Sequence, residues 1–357
     1  MNHAHNEEID YLRAYAIAFV FILHTLLIFK KELMDVIEDI HGLNLSVGVD
    51  LFFVISGYVV SSSYARLDQK TYSLRELYNV FLFNRLYRLW PTAIFWLSIC
   101  LCLTIYFPLL NLLPNLSDMI YKFSAGLFYI FNITESMSPS VFGYFWSLSL
   151  EWQFYCFLPF LMNRTLPKRL IIIFTLLTLN LFYRFGGENW WMFRSDGILI
   201  GILIWNFQHI FVTSMTNINA YLKKFFTLLL LILLILIKSL VVNDYLGVAL
   251  EALISGILVS LAISGPNSII TFGIPSFLKW VGLRSYSIYL SHIPVAVLIL
   301  GLDQTVNLGL DWYALCFICL LLTVLFSEIS YQFLEQRTQQ WLKMKRNGLP
   351  TLAPSLT

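Results

Sequence analysis

The first apolar segment, residues 9–29, carries two ionisable side chains, Arg13 and His24. Residues of this kind are expensive at membrane depth, so we expect both to face the interior of a helix bundle. They are eleven residues apart, which places them on one helical face about 16 Å apart. Imidazole near neutral pH can serve as a base or a nucleophile. Alternatively, each side chain is simply satisfied by a backbone carbonyl or a buried carboxylate.

A carboxylate lies within a second apolar segment, residues 143–162. Glu151 is flanked there by Ser147 and Gln153, which add a hydroxyl and an amide group. A buried carboxylate needs a partner, and Arg13 or His24 could supply it. Such a pair would serve catalysis, or it would be a structural ion pair within the bundle.

Two further intramembrane candidates are His292 and Asp50. His292 follows Tyr289 and precedes Pro294 in a later apolar segment. The pattern fits a structural role for His292 as well as a functional one. We therefore expect substitution of His292 to impair activity less than substitution of His24. Asp50, at the outer end of residues 47–65, is predicted to be a carboxylate in the first turn of a helix. Ser56 and Gly57 in that segment are small enough for a neighbouring helix to approach closely.

Arg85 and Arg88 form a basic pair shortly before Pro91. Spacing of three residues puts them on one face of a helical turn, and the proline suits the first turn of the helix that follows. Paired guanidinium groups match phosphate oxygens. The alternative is a pair of charges that only marks a cytoplasmic edge.

Composition predicts an integral membrane protein with an all-α fold. The chain has 357 residues, of which 58% are hydrophobic and 12% charged, whereas soluble domains carry about a quarter charged residues. A net charge of +2 does not suggest a nucleic-acid partner. The five cysteines lie in apolar runs, so we expect neither disulfides nor a metal site. About ten transmembrane helices are predicted, at residues 9–29, 47–65, 91–110, 143–162, 169–185, 194–212, 224–242, 246–264, 285–302 and 312–334.

Charge asymmetry predicts the orientation of the chain in the membrane. The run at residues 118–134 is shorter and more polar than the ten predicted segments, so it is assigned to an interfacial or re-entrant helix. With both termini cytoplasmic, sixteen of the 23 Lys and Arg residues fall on the cytoplasmic side, as the positive-inside rule requires. We expect one transmembrane domain over residues 1–343, followed by a short cytoplasmic tail at 344–357.

Six short patterns in order resemble the acyltransferase-3 family of membrane acyltransferases, which modify bacterial surface glycans and other acceptors. They extend from one end of the chain to the other. The patterns are Arg13 with His24; the GVDLFFVISG run at 48–57; Arg85-x-x-Arg88 before Pro91; WSLSLEWQFY at 146–155; Tyr286-x-x-Tyr289-Leu-x-His292-x-Pro294; and Ser330-Tyr331-x-Phe333-Leu-Glu335.

The resemblance implies roles in acyl-CoA handling and transfer for Arg13, His24, Arg85, Arg88 and Glu151. It also implies acetyl-CoA as the donor, a bacterial inner membrane, and a glycan or lipid-linked glycan acceptor such as lipopolysaccharide O-antigen. Many members have a second glutamate where Trp152 stands, so Glu151 is expected to act without a carboxylate neighbour. We recognise no counterpart of the soluble hydrolase-like domain that some members carry, so we expect a protein of the stand-alone type.

These features predict O-acylation across the membrane. Arg85 and Arg88 would bind the phosphates of the donor, while Arg13 would stabilise the thioester oxygen or bind the diphosphate. Glu151 would orient His24, which either deprotonates the acceptor hydroxyl or forms an acyl-His intermediate. A polytopic glycan flippase or small-molecule transporter remains the alternative, although such proteins are usually built from two related halves and we find no repeat.

Overall fold

The computed structural model describes residues 5–30, 43–67, 73–107, 116–134, 141–186, 194–241, 244–307 and 309–346. Within these ranges the regular elements are all helical, which confirms the predicted all-α class. The helices are α1 (Glu7–Phe29), α2 (Val47–Ala65), α3 (Leu74–Tyr106), α4 (Leu116–Leu127), α5 (Phe131–Thr134), α6 (Phe145–Met162), α7 (Leu166–Gly186), α8 (Asp196–Asn206), α9 (Gln208–Met215), α10 (Ala220–Leu240), α11 (Asp244–Ile263), α12 (Pro275–Leu283), α13 (Ser285–Val306), α14 (Trp312–Ser330), a π-helical segment (Tyr331–Gln336) and α15 (Arg337–Arg346).

The chain is a multi-pass membrane protein. Seven helices in the described ranges are long and apolar enough to cross a bilayer, and α8 with α9 makes an eighth span if the two are counted together. These two helices meet at an angle of 72°, where a single straight span over 194–212 was predicted. Each of the ten predicted segments overlaps a helix of the described ranges, but α6 and α7 are not among the seven, so the number ten stays a prediction.

The polar run at 118–134 folds as two short helices, α4 and α5, of 12 and 4 residues. Neither is long enough to span a bilayer. Gln153 of α6 holds this run in place: its amide nitrogen donates to the Asn132 side-chain oxygen at 2.7 Å and to the Tyr129 carbonyl at 3.0 Å, and its oxygen accepts from Asn132 at 3.1 Å. The candidate Gln153 therefore contributes to packing rather than to a cavity.

Helix α3 begins 17 residues earlier than predicted. The expected start was Pro91, but a capping box formed by Ser73 and Glu76 starts the helix at Leu74, and it continues through the proline for 33 residues. Proline removes one backbone hydrogen bond and tends to bend a helix, yet neighbouring helices can hold both halves together. Arg85 and Arg88 consequently lie inside a helix and not in a loop.

Helices α2 and α8 cross closely at Gly57 and Gly201. A Cβ atom on Gly57 would overlap the backbone carbonyl of Ile198, and one on Gly201 would overlap that of Val54. The small residues predicted to allow a close approach thus lie at a tight helix crossing. This crossing sets the position of α2, which carries Ser56 into the site described below.

We expect Gly57→Ala to lower the free energy of unfolding by about 1–3 kcal/mol, because the added methyl group would push the two backbones apart. Gly247→Ala is the matched control, since a Cβ there meets no heavy atom within 4 Å. Unfolding of both variants in the same detergent, followed by circular dichroism, tests the difference. Equal stability of the two variants would contradict the close crossing.

Candidate active site

A cavity of about 140 Å³ lies inside the bundle, between residues of α1, α2, α3, α6 and α13. Six of the ten candidate residues line it, although they are far apart in sequence. They are Arg13, Arg85, Arg88, Ser147, Glu151 and Tyr289. We call this space the inner cavity.

Glu151 is held in the inner cavity by two hydroxyl groups. Ser56 Oγ and Tyr155 Oη both donate to the Oε1 atom of Glu151, and the two hydroxyl oxygens are 3.0 Å from each other. Tyr155 follows Glu151 by four residues and so lies on the same helical face, whereas only the packing of α2 brings Ser56 there. Among the described residues Glu151 makes no ion pair, so the predicted contact with Arg13 or His24 is wrong for this structure.

Arg85 is a buried cation that lies against two aromatic rings. Its side chain is 7% exposed, and its guanidinium carbon lies 5.6 Å from the Tyr155 ring centre and 5.9 Å from that of Phe81. Within the described part of the chain it forms neither a hydrogen bond nor an ion pair. Because an unpaired buried charge is costly, Arg85 is poised to receive an oxygen-rich ligand.

A larger space, the vestibule, adjoins the inner cavity on the side of the α1 N-terminus. Its volume is about 840 Å³. Arg13 and Arg88 line both spaces, so the two adjoin at a boundary that carries two guanidinium groups, which we call the throat. Arg13 is paired with Asp10 at 3.1 Å on its own helix, while Arg88 forms no ion pair with any described residue. The throat also carries Glu335, which accepts a hydrogen bond from Ser287.

His24 and His292 form a hydrogen-bonded pair. The Nδ1 atom of His24 lies 3.0 Å from the Nε2 atom of His292, and their ring centres are 5.0 Å apart. His292 is 2% exposed, with the rings of Tyr289 and Tyr144 at 5.5 and 5.7 Å from its own. His292 is therefore the direct partner of His24, a relation that their separation of 268 residues concealed.

Tyr289 stands between the inner cavity and the histidine pair. Its hydroxyl lies 2.7 Å from Ser147 Oγ and donates to the Tyr144 carbonyl at 2.8 Å. Tyr289 lines the inner cavity and its ring contacts His292, but neither histidine lines the cavity. The site thus has two compartments, one rich in arginine and one containing imidazoles, with Tyr289 and Ser147 at their boundary.

Asp50 lies outside both compartments, in a buried charged cluster. It is in the first turn of α2, as predicted, and it bonds Arg194. Arg194 also reaches Glu251 at 3.1 Å, and Glu251 accepts from the Asn44 amide at 2.7 Å. Arg194 itself is only 5% exposed. The cluster ties α2 to α11 and to the residues before α8.

Comparison with known proteins supplies the class of chemistry. A family model described as an acyltransferase domain matches residues 6–328. Peptidoglycan O-acetyltransferase OatA of Listeria monocytogenes is 26% identical over 321 residues, which is 81% of this chain and 50% of that protein. O-acetyltransferase OatA of Staphylococcus aureus is 27% identical over 323 residues, 81% of this chain and 52% of that protein. The chain spans about half the length of these curated relatives, and no solved structure matches it.

Proposed function

Because the chain belongs to the acyltransferase-3 family, we propose that it transfers an acetyl group from cytoplasmic acetyl-CoA to a hydroxyl group of a cell-surface glycan. The observation that carries this proposal is the buried Arg85, which forms no ion pair with a described residue and lies near Glu151 in a cavity that adjoins the arginine-lined vestibule. A donor with phosphates at one end and a thioester on a long thin arm fits such a wide-to-narrow space.

The vestibule faces the cytoplasm in this proposal. The end of α1 that lines it lies beside the end of α2 that carries Arg66. The predicted ten-helix topology puts this side in the cytoplasm together with sixteen of the 23 Lys and Arg residues, in agreement with the positive-inside rule. Acyl-CoA is made in the cytoplasm, so the donor enters where its phosphates meet Arg13 and Arg88 at the throat. The membrane is then a bacterial inner membrane, with the acceptor arriving from the opposite side.

In the inner cavity the donor's arm lies between Arg85 and Glu151. Arg85 can donate to the thioester carbonyl oxygen, where negative charge develops during transfer. Glu151, fixed by the hydroxyl groups of Ser56 and Tyr155, can accept a hydrogen bond from an amide of the pantetheine arm and balances the surrounding guanidinium charges.

His24 acts as the general base in the proposed reaction. If its Nδ1 atom carries the proton and donates it to His292, its Nε2 atom is free to accept the proton of the acceptor hydroxyl. The hydroxyl oxygen then attacks the thioester carbon, the carbon–sulfur bond breaks, and the departing CoA thiolate takes the proton back from His24. Tyr289 has to move aside for the two compartments to meet.

Analysis of ester-linked acetate on cell-surface glycans tests the proposed function. We expect acetate released by mild base to fall when the gene is deleted, and to return with the wild-type chain but not with His24→Gln. Peptidoglycan and lipopolysaccharide are to be measured separately, because one relative's name specifies peptidoglycan whereas the sequence alone suggested O-antigen. Unchanged acetate in both fractions, with the chain expressed, would contradict the proposal.

A further inference from the structure

One wall of the vestibule is a stripe of α2 that the proposed reaction does not use. Tyr58, Ser62 and Arg66 are spaced by four residues, which places them on one helical face, and all three line the vestibule. Gln208 and His209 of α9 line it as well. The Tyr58 hydroxyl donates to Gln208 Oε1 at 3.2 Å and so connects the two walls.

Three arginines follow one another from the inner cavity outward. Arg85 lines only the inner cavity, Arg88 lines both spaces, and Arg66 lines only the vestibule. None of the three forms an ion pair with a described residue. A ligand whose reactive end lies beside Glu151 therefore meets three guanidinium groups along its length that have room to bind its oxygens.

We propose that Arg66 and His209 form a subsite for the 3′-phosphate of the donor's adenosine. This inference rests on the proposed function, in which the donor is acyl-CoA. In that molecule the diphosphate lies between the pantetheine arm and the phosphorylated ribose, so the order of the arginines assigns the diphosphate to Arg88 and the 3′-phosphate to Arg66. A guanidinium group binds phosphate through two parallel hydrogen bonds, and the His209 ring can donate another.

The bend between α8 and α9 gives this subsite its second wall. The chain turns by 72° at Phe207, and the two residues directly after it line the vestibule. The subsite distinguishes two classes of thioester donor, because CoA carries a 3′-phosphate and the phosphopantetheine of a carrier protein does not. The donor selected is thus free acyl-CoA.

Binding of CoA and of 3′-dephospho-CoA to the full chain in lipid nanodiscs, measured by calorimetry, tests the subsite. Wild-type protein should bind CoA about ten- to a hundredfold more tightly than 3′-dephospho-CoA, the range expected for a charge-assisted contact. Arg66→Ala should weaken CoA binding by that factor and leave 3′-dephospho-CoA binding unchanged. Arg66→Lys should recover part of the difference.

Arg75→Ala is the matched control, since Arg75 is an exposed cation near the start of α3 that lines neither space. It removes the same charge and should preserve the preference for CoA. Equal affinities of Arg66→Ala and wild type for CoA, or equal weakening of both ligands, would overturn the subsite and leave the proposed function standing. Failure of wild-type protein to bind either ligand would overturn the proposed function as well.

Discussion

His24→Gln should abolish acyl transfer while leaving CoA binding intact. Glutamine preserves size and some hydrogen bonding but cannot take a proton near neutral pH, and general-base help is typically worth about 10²–10⁴-fold in rate. His24 lines neither the inner cavity nor the vestibule, so donor affinity should not change. The measurement is single-turnover acyl transfer by purified protein, together with calorimetric binding of CoA.

The hydrogen bond between the two rings changes the expectation for His292. From the sequence, its substitution was expected to be mild. Since His292 Nε2 lies 3.0 Å from His24 Nδ1, it sets which nitrogen of His24 is free, and His292→Leu should impair transfer strongly. His292→Gln retains an acceptor oxygen and should be intermediate. The loss of acyl-transfer rate in the double variant should be smaller than the losses of the two single variants combined, because the two residues act as one unit.

Thr25→Val is the matched control for the histidine variants. Thr25 is the buried neighbour of His24 on α1, and its hydroxyl group donates a hydrogen bond to the backbone carbonyl of Phe21 at 2.7 Å. It should retain wild-type turnover. Near-normal transfer by His24→Gln together with an inactive His292→Gln would identify His292 as the base and contradict the assignment.

The second large effect is expected for Arg85→Ala, which should weaken acetyl-CoA binding by about ten- to a hundredfold and change the free energy of unfolding little. The lost contact, to the thioester carbonyl oxygen, is charge-assisted, in the range of about 1.5–3 kcal/mol. Removing the buried guanidinium group relieves a desolvation cost but also removes positive charge near Glu151, and these opposing effects on stability should largely cancel. Lysine should restore only part of the affinity, because it lacks the planar fork of donors.

Arg284→Ala provides the opposite pattern as a control. Arg284 bonds Glu328 through two nitrogens, one of them at 2.9 Å, and its guanidinium carbon lies 4.5 Å from the Trp280 ring centre. Its removal should lower stability and leave acetyl-CoA affinity unchanged. Calorimetry with acetyl-CoA and thermal unfolding of both variants separate the two roles. Should Arg85→Ala lose stability as Arg284→Ala does and bind acetyl-CoA normally, Arg85 would have a structural role only.

Much of the inner cavity could be predicted from local pattern. Arg13 and Glu151 were identified because ionisable groups are rare and expensive in apolar segments. Arg85 and Arg88 were identified because two guanidinium groups on one helical turn match phosphate oxygens, and the structure places all four residues around one cavity. Spacing also identified the shared face of Arg85 and Arg88. It did not show that the pair lies within a long helix, because Pro91 is a common sign of a helix start and only neighbouring helices keep α3 continuous through it.

The sequence by itself determined the class of the protein: its apolar segments form helices because a bilayer leaves backbone groups no other partners, and their order carries the family's patterns. Tertiary structure alone decided which polar groups meet. The pairing of His24 with His292, the hydroxyl groups that hold Glu151, the cluster around Asp50 and the turn at Phe207 that brings His209 to the vestibule all depend on how helices rotate and cross. Helical periodicity specifies the face on which a residue lies, but the neighbour of that face is selected by packing between segments distant in the chain.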